Sequence, residues 1–424
     1  MTTSITPAAA LPPPSGDTPL LRFSDVERAR DRIGQQIPSS SLTWSATLSD
    51  MLGSRLYLKC ENLHMTGSFK ERGALNRLLA LSPEQRAQGV IASSAGNHAQ
   101  GLAYNCGRLG VPATIIMPLN APLTKESRTR GYGAKVILHG ASYDEAYAYA
   151  RDLADRDNLT FIHPFNDLDI MAGQGTIGLE ILEQNPYIEV VVVPIGGGGL
   201  ISGIAVALKE TNPRIKVIGV EAEAVPSMKM SVAAGRIVEP PPARTIADGI
   251  AVRRVGELTL AVARRYVDDI VTVTEEEISN AILMLLESEK TVVEGSGATT
   301  LAAIRAGRIP QAMGRRTALI LSGGNIDVNV ISRIIERGLA KDGRMMAIRV
   351  VLDDAPGSLA RLTTLLADAR ANVIEIHHNR TFARLSKAVV DLTLETRGFD
   401  HIADLEERLS KAGYGVEPRR PTAG

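Results

Sequence analysis

Short runs of aliphatic residues alternate with amphipathic stretches from Ser24 to about Gly338. Runs rich in β-branched residues predict strands, and the amphipathic stretches between them predict helices. The predicted strands are Val90–Ala92, Ala113–Met117, Lys135–Leu138, Glu189–Val193, Lys216–Val220 and Ala318–Leu321. The predicted helices include Ala99–Leu109, Tyr143–Ala154, Leu200–Lys209 and Ile326–Gly338. This alternation indicates an α/β fold with a parallel sheet, and ligands of such sheets bind beyond the carboxyl ends of the strands.

A second pattern begins after residues 337–343, a polar stretch with two glycines that predicts a linker. The elements predicted beyond it are strands at Met346–Leu352, Asn372–Asn379, Lys387–Glu395 and from Gly413, with helices at Pro356–Arg370 and Asp400–Ala412. The order βαββαβ is that of a ferredoxin-like domain. We therefore predict a first domain at residues 17–340 and a second at residues 345–424, after a disordered tail at residues 1–16.

Composition and charge exclude several classes of protein. Lys and Arg total 47 and Asp and Glu total 47, and this zero net charge argues against a general nucleic-acid-binding protein. The two cysteines, Cys60 and Cys106, are too few for a disulfide framework, an iron–sulfur cluster or an all-cysteine zinc site. They suit a reducing cytoplasm. The most apolar stretch, Ile188–Leu208, contains Glu189, Pro194 and four glycines, so we expect no membrane span.

The octapeptide Gly67–Ala74, GSFKERGA, contains a lysine at a predicted helix start. Ser68 and Glu71 have the spacing of a capping box, which predicts a helix with Lys70 in its first turn. The positive end of a helix dipole disfavours the charged form of an amine. A partly neutral lysine can form a Schiff base with a carbonyl group. A capped surface helix with a solvated lysine is the plainer interpretation of this octapeptide.

A second polar segment, Ser93–Gly101 with the sequence SSAGNHAQG, follows the strand predicted at Val90–Ala92. Its hydroxyls, glycine and amide offer hydrogen-bond donors to a carboxylate or a ring oxygen. An N-capping Ser or Asn is the alternative interpretation of this turn. His98 has no metal-ligand partner at helical spacing, so we expect it to be structural.

Four consecutive glycines, Gly196–Gly199, follow a run of apolar residues and precede Leu200. Such a loop lets backbone N–H groups converge on an anion at the start of the next helix, which predicts a phosphate site. A dinucleotide site would need the pattern G-x-G-x-x-G. That pattern fails, because its last position is Ser202 or Ile201, depending on the glycine from which it is counted.

A further turn, Leu321–Asn325 with the sequence LSGGN, ends another apolar run and is predicted to bring Ser322 into the same crevice. A plain helix cap is the alternative for this turn. Together and in this order, the segments GSFKERGA, SSAGNHAQG, GGGGLISG, TIADGIAV and LSGGN resemble the fold-type II pyridoxal-phosphate enzymes of the threonine and serine dehydratase family. The resemblance spans nearly all of residues 1–340 and implies two open sheets, parallel or mixed. The segment DAPGSL at residues 354–359 resembles an ACT domain, an amino-acid-sensing module.

The resemblance also assigns roles to particular residues. Lys70 is implied as the catalytic lysine that binds pyridoxal 5'-phosphate, Asn97 as the partner of its phenolic oxygen, and Ser322 as the partner of its ring nitrogen. The phosphate is implied to contact the glycine loop, which consists of Gly196, Gly197, Gly198, Gly199 and Leu200. The substrate carboxylate is implied to contact the carboxylate turn, which consists of Ser94, Ala95, Gly96 and Asn97.

The activity implied by the resemblance is deamination of L-threonine to 2-oxobutanoate and ammonia by β-elimination of water, with action on L-serine as well. Serine dehydration or racemisation is one alternative, although Ala95 stands where related serine racemases carry a serine that acts as a second acid/base. A non-catalytic amino-acid sensor is another. Family members with a regulatory cation use an acidic cluster near the position of Glu221, but Ser227 falls where an aspartate would help. A metal is therefore left open.

The ACT-like domain implies an amino-acid effector, isoleucine or valine, and a homodimer or homotetramer. The enzyme would then act in isoleucine biosynthesis or in threonine catabolism. A domain that provides only an oligomer contact is the alternative. Neither nucleic acid nor a membrane is expected as a partner, and the expected location is the cytoplasm.

Overall fold

A computed structural model of the protein describes residues 20–380 and 386–419 of the 424-residue chain. The chain divides into two compact units, Met1–Ile326 and Asp327–Gly424. The disordered tail predicted at residues 1–16 lies outside the described residues. The first unit contains the five segments that resemble those of pyridoxal-phosphate enzymes.

Helices and strands alternate along the first unit. Its helices are α1 (Phe23–Ile33), α2 (Ala46–Leu52), α3 (Lys70–Ala80), α4 (Pro83–Gln88), α5 (Asn97–Leu109), α6 (Leu123–Gly131), α7 (Tyr143–Arg156), α8 (Leu168–Gln184), α9 (Gly199–Thr211), α10 (Ser227–Ala234), α11 (Glu257–Tyr266), α12 (Glu275–Glu289) and α13 (Gly295–Arg305). Its strands are β1 (Leu42–Trp44), β2 (Arg55–Lys59), β3 (Val90–Ser93), β4 (Ala113–Met117), β5 (Lys135–Leu138), β6 (Thr160–Phe161), β7 (Val190–Pro194), β8 (Lys216–Ala222), β9 (Asp269–Val273) and β10 (Arg316–Ile320).

Two sheets form the scaffold of the first unit. The larger sheet has the strand order β1-β2-β10-β7-β8-β9, in which β1 is antiparallel to β2 and the other neighbours are parallel. The smaller sheet has the order β5-β4-β3-β6 and is parallel throughout. The prediction of an α/β fold with two open sheets, parallel or mixed, is confirmed.

The central strand β7, with the sequence VVVVP, is buried along its whole length. Continuous apolar runs of this kind are typical of parallel strands that are covered on both faces. Side chains from α8 and α9 pack against β7 in one hydrophobic cluster. The two helices approach each other closely at Gly203, where a Cβ atom would overlap the carbonyl oxygen of Met171. Only glycine permits this approach.

The predicted elements of the first unit are present, with their ends shifted by a few residues. Helix α5 begins at Asn97 rather than at Ala99, and β10 ends at Ile320 rather than at Leu321. The first shift brings Asn97 into the first turn of a helix. Among the described residues, no helix combines the length and the apolar character needed to cross a membrane.

The second unit is an antiparallel sheet with helices. Its elements are α14 (Val328–Lys341), β11 (Met345–Asp353), α15 (Ser358–Asp368), β12 (Asn372–Asn379), β13 (Lys387–Glu395), α16 (Phe399–Lys411) and β14 (Val416–Arg419). The strand order is β12-β13-β11-β14, and all neighbours are antiparallel. Buried and less buried positions alternate along β11 and β13, so one face of the sheet forms the core. The predicted βαββαβ order is confirmed.

Helix α14 runs through residues at which the sequence predicts a linker. It ends at Lys341, so only residues 342–344 separate it from β11. Gly338 lies inside the helix and is buried. A glycine in a helix interior costs roughly 1 kcal/mol relative to alanine, and packing of this kind offsets that cost. The linker prediction at residues 337–343 is therefore wrong for most of its length.

Candidate active site

The loops that follow β3 and β10 lie beside the start of α3. The backbone N–H of Phe69 donates a hydrogen bond of 3.1 Å to the carbonyl oxygen of Ser322. Helix α5 also packs closely against Lys70, since a Cβ atom at Gly101 would lie 3.0 Å from the carbonyl carbon of Lys70. The structure thus brings Lys70 next to Ser322 and next to the helix that follows the carboxylate turn.

Lys70 is the first residue of α3 and is partly buried. Its Nζ donates a hydrogen bond of 2.8 Å to the carbonyl oxygen of Pro164. Burial lowers the pKa of Lys70 to about 8, although the nearby carboxylate of Glu294 favours the charged form. At pH 7 such a pKa leaves roughly one amine in ten neutral, far more than for an ordinary lysine. Lys70 is therefore suited to act as a nucleophile or as a base.

The capping box predicted from Ser68 and Glu71 does not form. The residue that precedes α3 is Phe69, and no side chain caps the helix. The carboxylate of Glu71 instead accepts a hydrogen bond from the backbone N–H of Thr66. The hydroxyl of Ser68 is buried and has no hydrogen-bond partner. The prediction is wrong because the helix begins one residue later than the capping-box spacing requires.

A buried network of charges anchors α3 behind Lys70. The guanidinium of Arg72 donates to Glu61 over 2.8 and 2.9 Å, and it also contacts Glu180. The buried Lys59 lies 2.6 Å from the same Glu180 carboxylate. Although burial alone would raise it, the charge of Arg72 holds the pKa of Glu61 well below its usual range. Two cations face two carboxylates, which fixes the helix that carries Lys70.

The carboxylate turn connects β3 to α5. Its members Ser94, Ala95, Gly96 and Asn97 are partly exposed, whereas the residues on both sides of the turn are buried. Ser94 Oγ accepts a hydrogen bond of 3.2 Å from the backbone N–H of Gly96. The first N–H groups of α5 have no acceptor inside the helix. A turn of this kind suits a carboxylate ligand.

Asn97 contacts Glu294, a residue that lies outside the five motif segments. Its Nδ2 donates a hydrogen bond of 2.7 Å to Glu294 Oε1, and its Oδ1 accepts one of 2.9 Å from Asn325. Glu294 is 3% exposed. Burial and, to a smaller extent, the carboxylate of Asp248 raise the pKa of Glu294 to about 7, against the opposing effect of the Lys125 ammonium. The sequence signal is a glutamate directly before Gly-Ser-Gly at the start of α13.

The glycine loop joins β7 to α9 and contacts the segment that holds Lys70. Cβ atoms at Gly197 and at Gly199 would both crowd Phe165, which follows directly after Pro164. Gly198 has a φ of 93°, a value that favours glycine. The first N–H groups of α9 lack acceptors within the helix, so this loop suits a phosphate.

Ser322 lies two residues beyond the end of β10 and is buried. The start of α13 packs against this strand end. A Cβ atom at Gly297 would lie 3.0 Å from the backbone nitrogen of Ser322, and one at Gly323 would lie 2.6 Å from Glu294 Oε1. The LSGGN turn and the start of α13 therefore form one wall of the site.

Two histidines near Lys70 are neutral. His98 Nε2 lies 3.1 Å from a backbone carbonyl oxygen, and burial lowers the pKa of this histidine to about 3, which agrees with the structural role expected for it. His163 Nδ1 accepts hydrogen bonds of 3.2 and 2.8 Å from the N–H groups of Phe165 and Asn166. Burial lowers the pKa of His163 to about 4. His163 shapes the turn that contains Phe165, and no motif in the sequence marks it.

Glu221, which the sequence analysis considers as a cation ligand, caps a helix. Its carboxylate accepts hydrogen bonds of 2.7 and 2.8 Å from the backbone N–H groups of Met228 and Lys229 at the start of α10. Ser227 Oγ donates a hydrogen bond of 2.6 Å to the carbonyl oxygen of Val252. Within the described part of the chain, no three His, Cys, Asp or Glu residues are grouped so that they could hold a metal ion.

The groups at this site fit pyridoxal phosphate. Lys70 offers an amine of lowered pKa to the aldehyde, and the glycine loop offers backbone N–H groups to the phosphate. The Ser68 hydroxyl, two residues before the lysine, is a buried polar group with no protein partner. A bound ligand can supply the hydrogen bond that such a buried hydroxyl lacks within the protein.

Comparison with known proteins agrees with this geometry. Residues 33–323 match the family model described as pyridoxal-phosphate dependent enzyme, and residues 346–413 match the ACT domain. The L-threonine ammonia-lyases of Thermotoga maritima and Geobacter sulfurreducens are 47% and 48% identical to this chain, each over 94% of the chain and 99% of the relative. The solved threonine deaminase of T.th. is 42% identical, with a TM-score of 0.69, and the match covers 72% of this chain and 99% of that one.

The family match spans the lysine, the carboxylate turn, the glycine loop and Ser322. The resemblance that the sequence motifs indicate, to pyridoxal-phosphate enzymes of the threonine and serine dehydratase type with an ACT domain, is confirmed. The chain belongs to the family of pyridoxal-phosphate dependent enzymes.

Proposed function

We propose that this protein deaminates L-threonine to 2-oxobutanoate and ammonia by elimination of water, and that it also accepts L-serine. The observation that carries the proposal is the amine of Lys70, which has a lowered pKa and belongs to a residue packed against α5, the helix that follows the carboxylate turn. The L-threonine ammonia-lyases that are 47% and 48% identical over 94% of this chain support the choice of substrate.

The residues of the site divide the work of holding the cofactor and the substrate. When bound, pyridoxal phosphate supplies the electron sink for loss of the α-proton. Lys70 would bind the aldehyde, Asn97 the phenolic oxygen and Ser322 the ring nitrogen. The glycine loop would hold the phosphate. Ser322 would offer a hydroxyl rather than an acid to the ring nitrogen, which would leave that nitrogen unprotonated and would suit elimination of the β-hydroxyl.

The carboxylate turn would hold the substrate carboxylate at the start of α5, where backbone N–H groups lack intrahelical acceptors. This contact orients the α-carbon of the substrate. Lys70, in its neutral form, would then remove the α-proton. A base with a pKa of about 8 combines a useful neutral fraction with enough basicity near neutral pH.

The ACT domain would bind an amino-acid effector, isoleucine or valine, in a homodimer or homotetramer. Its family match at residues 346–413 supports a regulatory role. The enzyme would act in isoleucine biosynthesis or in threonine catabolism. Both cysteines are buried and free, which suits the reducing cytoplasm expected for this protein.

The deciding experiment is a keto-acid assay on the purified holoenzyme with L-threonine, L-serine and D-serine, each with and without isoleucine or valine. We expect 2-oxobutanoate from L-threonine at the highest rate and pyruvate from L-serine at a lower rate. Rapid conversion of L-serine to D-serine would favour the racemase alternative. A protein with no yellow colour and no adduct after borohydride treatment would instead be the non-catalytic sensor.

A further inference from the structure

Asn97 belongs to a chain of four hydrogen-bonded side chains in the first unit. Arg128 Nη1 donates to Asn325 Oδ1 over 3.0 Å, and Asn325 Nδ2 donates to Asn97 Oδ1 over 2.9 Å. Asn97 Nδ2 then donates to Glu294 Oε1 over 2.7 Å. The chain therefore connects helix α6 to the residue that precedes α13, and it passes through the carboxylate turn.

The two end residues of this hydrogen-bond chain determine which atom of each amide donates and which accepts. A guanidinium only donates hydrogen bonds, so Arg128 requires the oxygen of the Asn325 carboxamide. The amide nitrogen of Asn325 also donates to the backbone carbonyl of Thr66 over 2.7 Å, and a carbonyl only accepts. An ionised carboxylate only accepts as well, so Glu294 requires the nitrogen of Asn97. With Glu294 ionised, each end of the hydrogen-bond chain therefore excludes the flipped orientation of the amide next to it.

We propose that Arg128 and Glu294 are positioning residues that act through this hydrogen-bond chain to fix the carboxamide orientation of Asn97. This inference rests on the proposed function, in which Asn97 contacts the phenolic oxygen of the cofactor. An amide nitrogen has two hydrogens, and one of those on Asn97 is committed to Glu294. The fixed orientation therefore presents the second N–H, rather than the carbonyl oxygen, to the cofactor oxygen.

The surroundings of Glu294 support its place at the acceptor end. A Cβ atom at Gly323 would lie 2.6 Å from Glu294 Oε1 and 3.1 Å from Asn97 Nδ2, so a side chain there would force the two groups apart. The charged groups that face Glu294 are Asp248, Lys125 and Lys70. Burial raises the pKa of Glu294 to about 7, with Asp248 adding to the shift. Protonation near neutral pH would turn the acceptor end of the chain into a group that can also donate.

The test measures the absorption band of the bound cofactor and the rate at which the cofactor dissociates, in addition to turnover. We expect Arg128→Met to dissociate the cofactor a few-fold faster and to shift its band, because a donor at the exposed end is lost. Arg128→Lys keeps a donor-only group and should restore most of the loss. Arg130→Met is the matched control on α6, because Arg130 pairs with Glu126 and does not belong to the hydrogen-bond chain.

Glu294→Gln replaces a carboxylate, which only accepts hydrogen bonds when ionised, with a carboxamide of similar shape that also donates them. We expect cofactor dissociation about 10- to 100-fold faster, the range for a hydrogen bond to a buried charged group. The wild-type band should change with pH near 7, and this transition should be absent in the variant. In the double variant with Arg128→Met, cofactor dissociation should accelerate by less than the product of the two single effects. Both residues act on the orientation of the same Asn97 carboxamide, so their effects are not independent.

The proposal is overturned if Arg128→Met behaves like Arg130→Met, or if Glu294→Gln keeps the wild-type band, its pH transition and its dissociation rate. If Glu294→Gln does not fold, the Arg128 variants alone decide, since Arg128 lies on the surface. A wild-type protein that binds the cofactor and shows the Arg128→Met shift, but does not deaminate threonine or serine, would overturn the proposed function and leave the hydrogen-bond chain intact.

Discussion

The side-chain nitrogen of Lys70 lies 2.8 Å from the backbone carbonyl oxygen of Pro164, and the next residue, Phe165, fills the space beside Gly197 of the glycine loop. One short segment therefore contacts both the amine and the glycine loop. The two functional groups come from parts of the chain that are more than a hundred residues apart. The turn that contains Pro164 and Phe165 sets the distance in space between the amine and the loop. His163 stabilises this turn.

Lys70→Ala should abolish turnover of threonine and remove the covalently bound cofactor. Loss of a positioned base lowers the rate by about 10²–10⁴-fold, and loss of the covalent link adds to this. The matched control is Lys216→Ala, since Lys216 is 44% exposed and pairs with Asp268 at the surface. Absorption spectra after borohydride reduction check the result, and a reducible adduct on another lysine would contradict it.

The amine of Lys70 should become more reactive as the pH rises through about 8. Its pKa is lowered because burial disfavours the charged form, so the neutral fraction is about 1% at pH 6 and about half at pH 8. Reductive methylation of the cofactor-free protein, quantified at each lysine by mass spectrometry, measures this directly. A midpoint for Lys70 at or above pH 10 would show that its environment does not lower the pKa.

Gly197→Ala should weaken cofactor binding by about 10- to 100-fold. The added Cβ atom overlaps the ring of Phe165, so either the loop or the ring moves away from its present place. Gly131→Ala is the control, because a Cβ atom there meets nothing within 4 Å. Titration with pyridoxal phosphate, followed by absorption, gives both affinities. Equal affinities for the two variants would speak against a phosphate role of the loop.

Ala95→Ser should increase the formation of D-serine from L-serine by at least about 10-fold, because the new hydroxyl supplies an acid on the other face of the substrate. Ala95 lies in the partly exposed carboxylate turn, next to Ser94. Ala234→Ser, at the exposed end of α10, controls for an added hydroxyl elsewhere. Chiral chromatography of the products decides the matter, and an unchanged D-serine yield would refute the role given to this position.

A chain that ends at Ile326 should keep threonine deamination and lose any response to isoleucine or valine. The second unit begins at Asp327, and no residue proposed to hold the cofactor lies in it. An allosteric coupling of about 1–3 kcal/mol would change the apparent affinity for threonine about 5- to 150-fold in the full-length protein. Steady-state kinetics of both proteins test this. The same effector response in both would leave the ACT domain with an assembly role only.

The strand pattern and the glycine loop could be predicted from the sequence because both depend on neighbouring residues. The all-apolar run of β7 indicates a buried parallel strand, and four glycines after it indicate a phosphate loop. Glu294 could not be predicted in this way. Its partner Asn97 lies 197 positions away, and only the closed fold brings the two together.

Local patterns also failed where tertiary contacts compete with them. Ser68 and Glu71 have the spacing of a cap, but the Glu71 carboxylate binds the backbone of Thr66 instead. Gly338 suggests a break in the chain, but it is buried inside α14. In both cases the pattern was present, and a contact outside the pattern decided the outcome.

The position of α14 has a consequence for how this chain could be recombined with others. Every strand pairing of the described residues joins strands of the same unit, and the chain crosses from one unit to the other once, directly before α14. A gene fusion that exchanges the ACT domain should therefore keep α14 with the ACT sheet and join the partners at Ile326. A junction placed at Gly343 would divide the second unit, because α14 would then be exchanged separately from the ACT sheet.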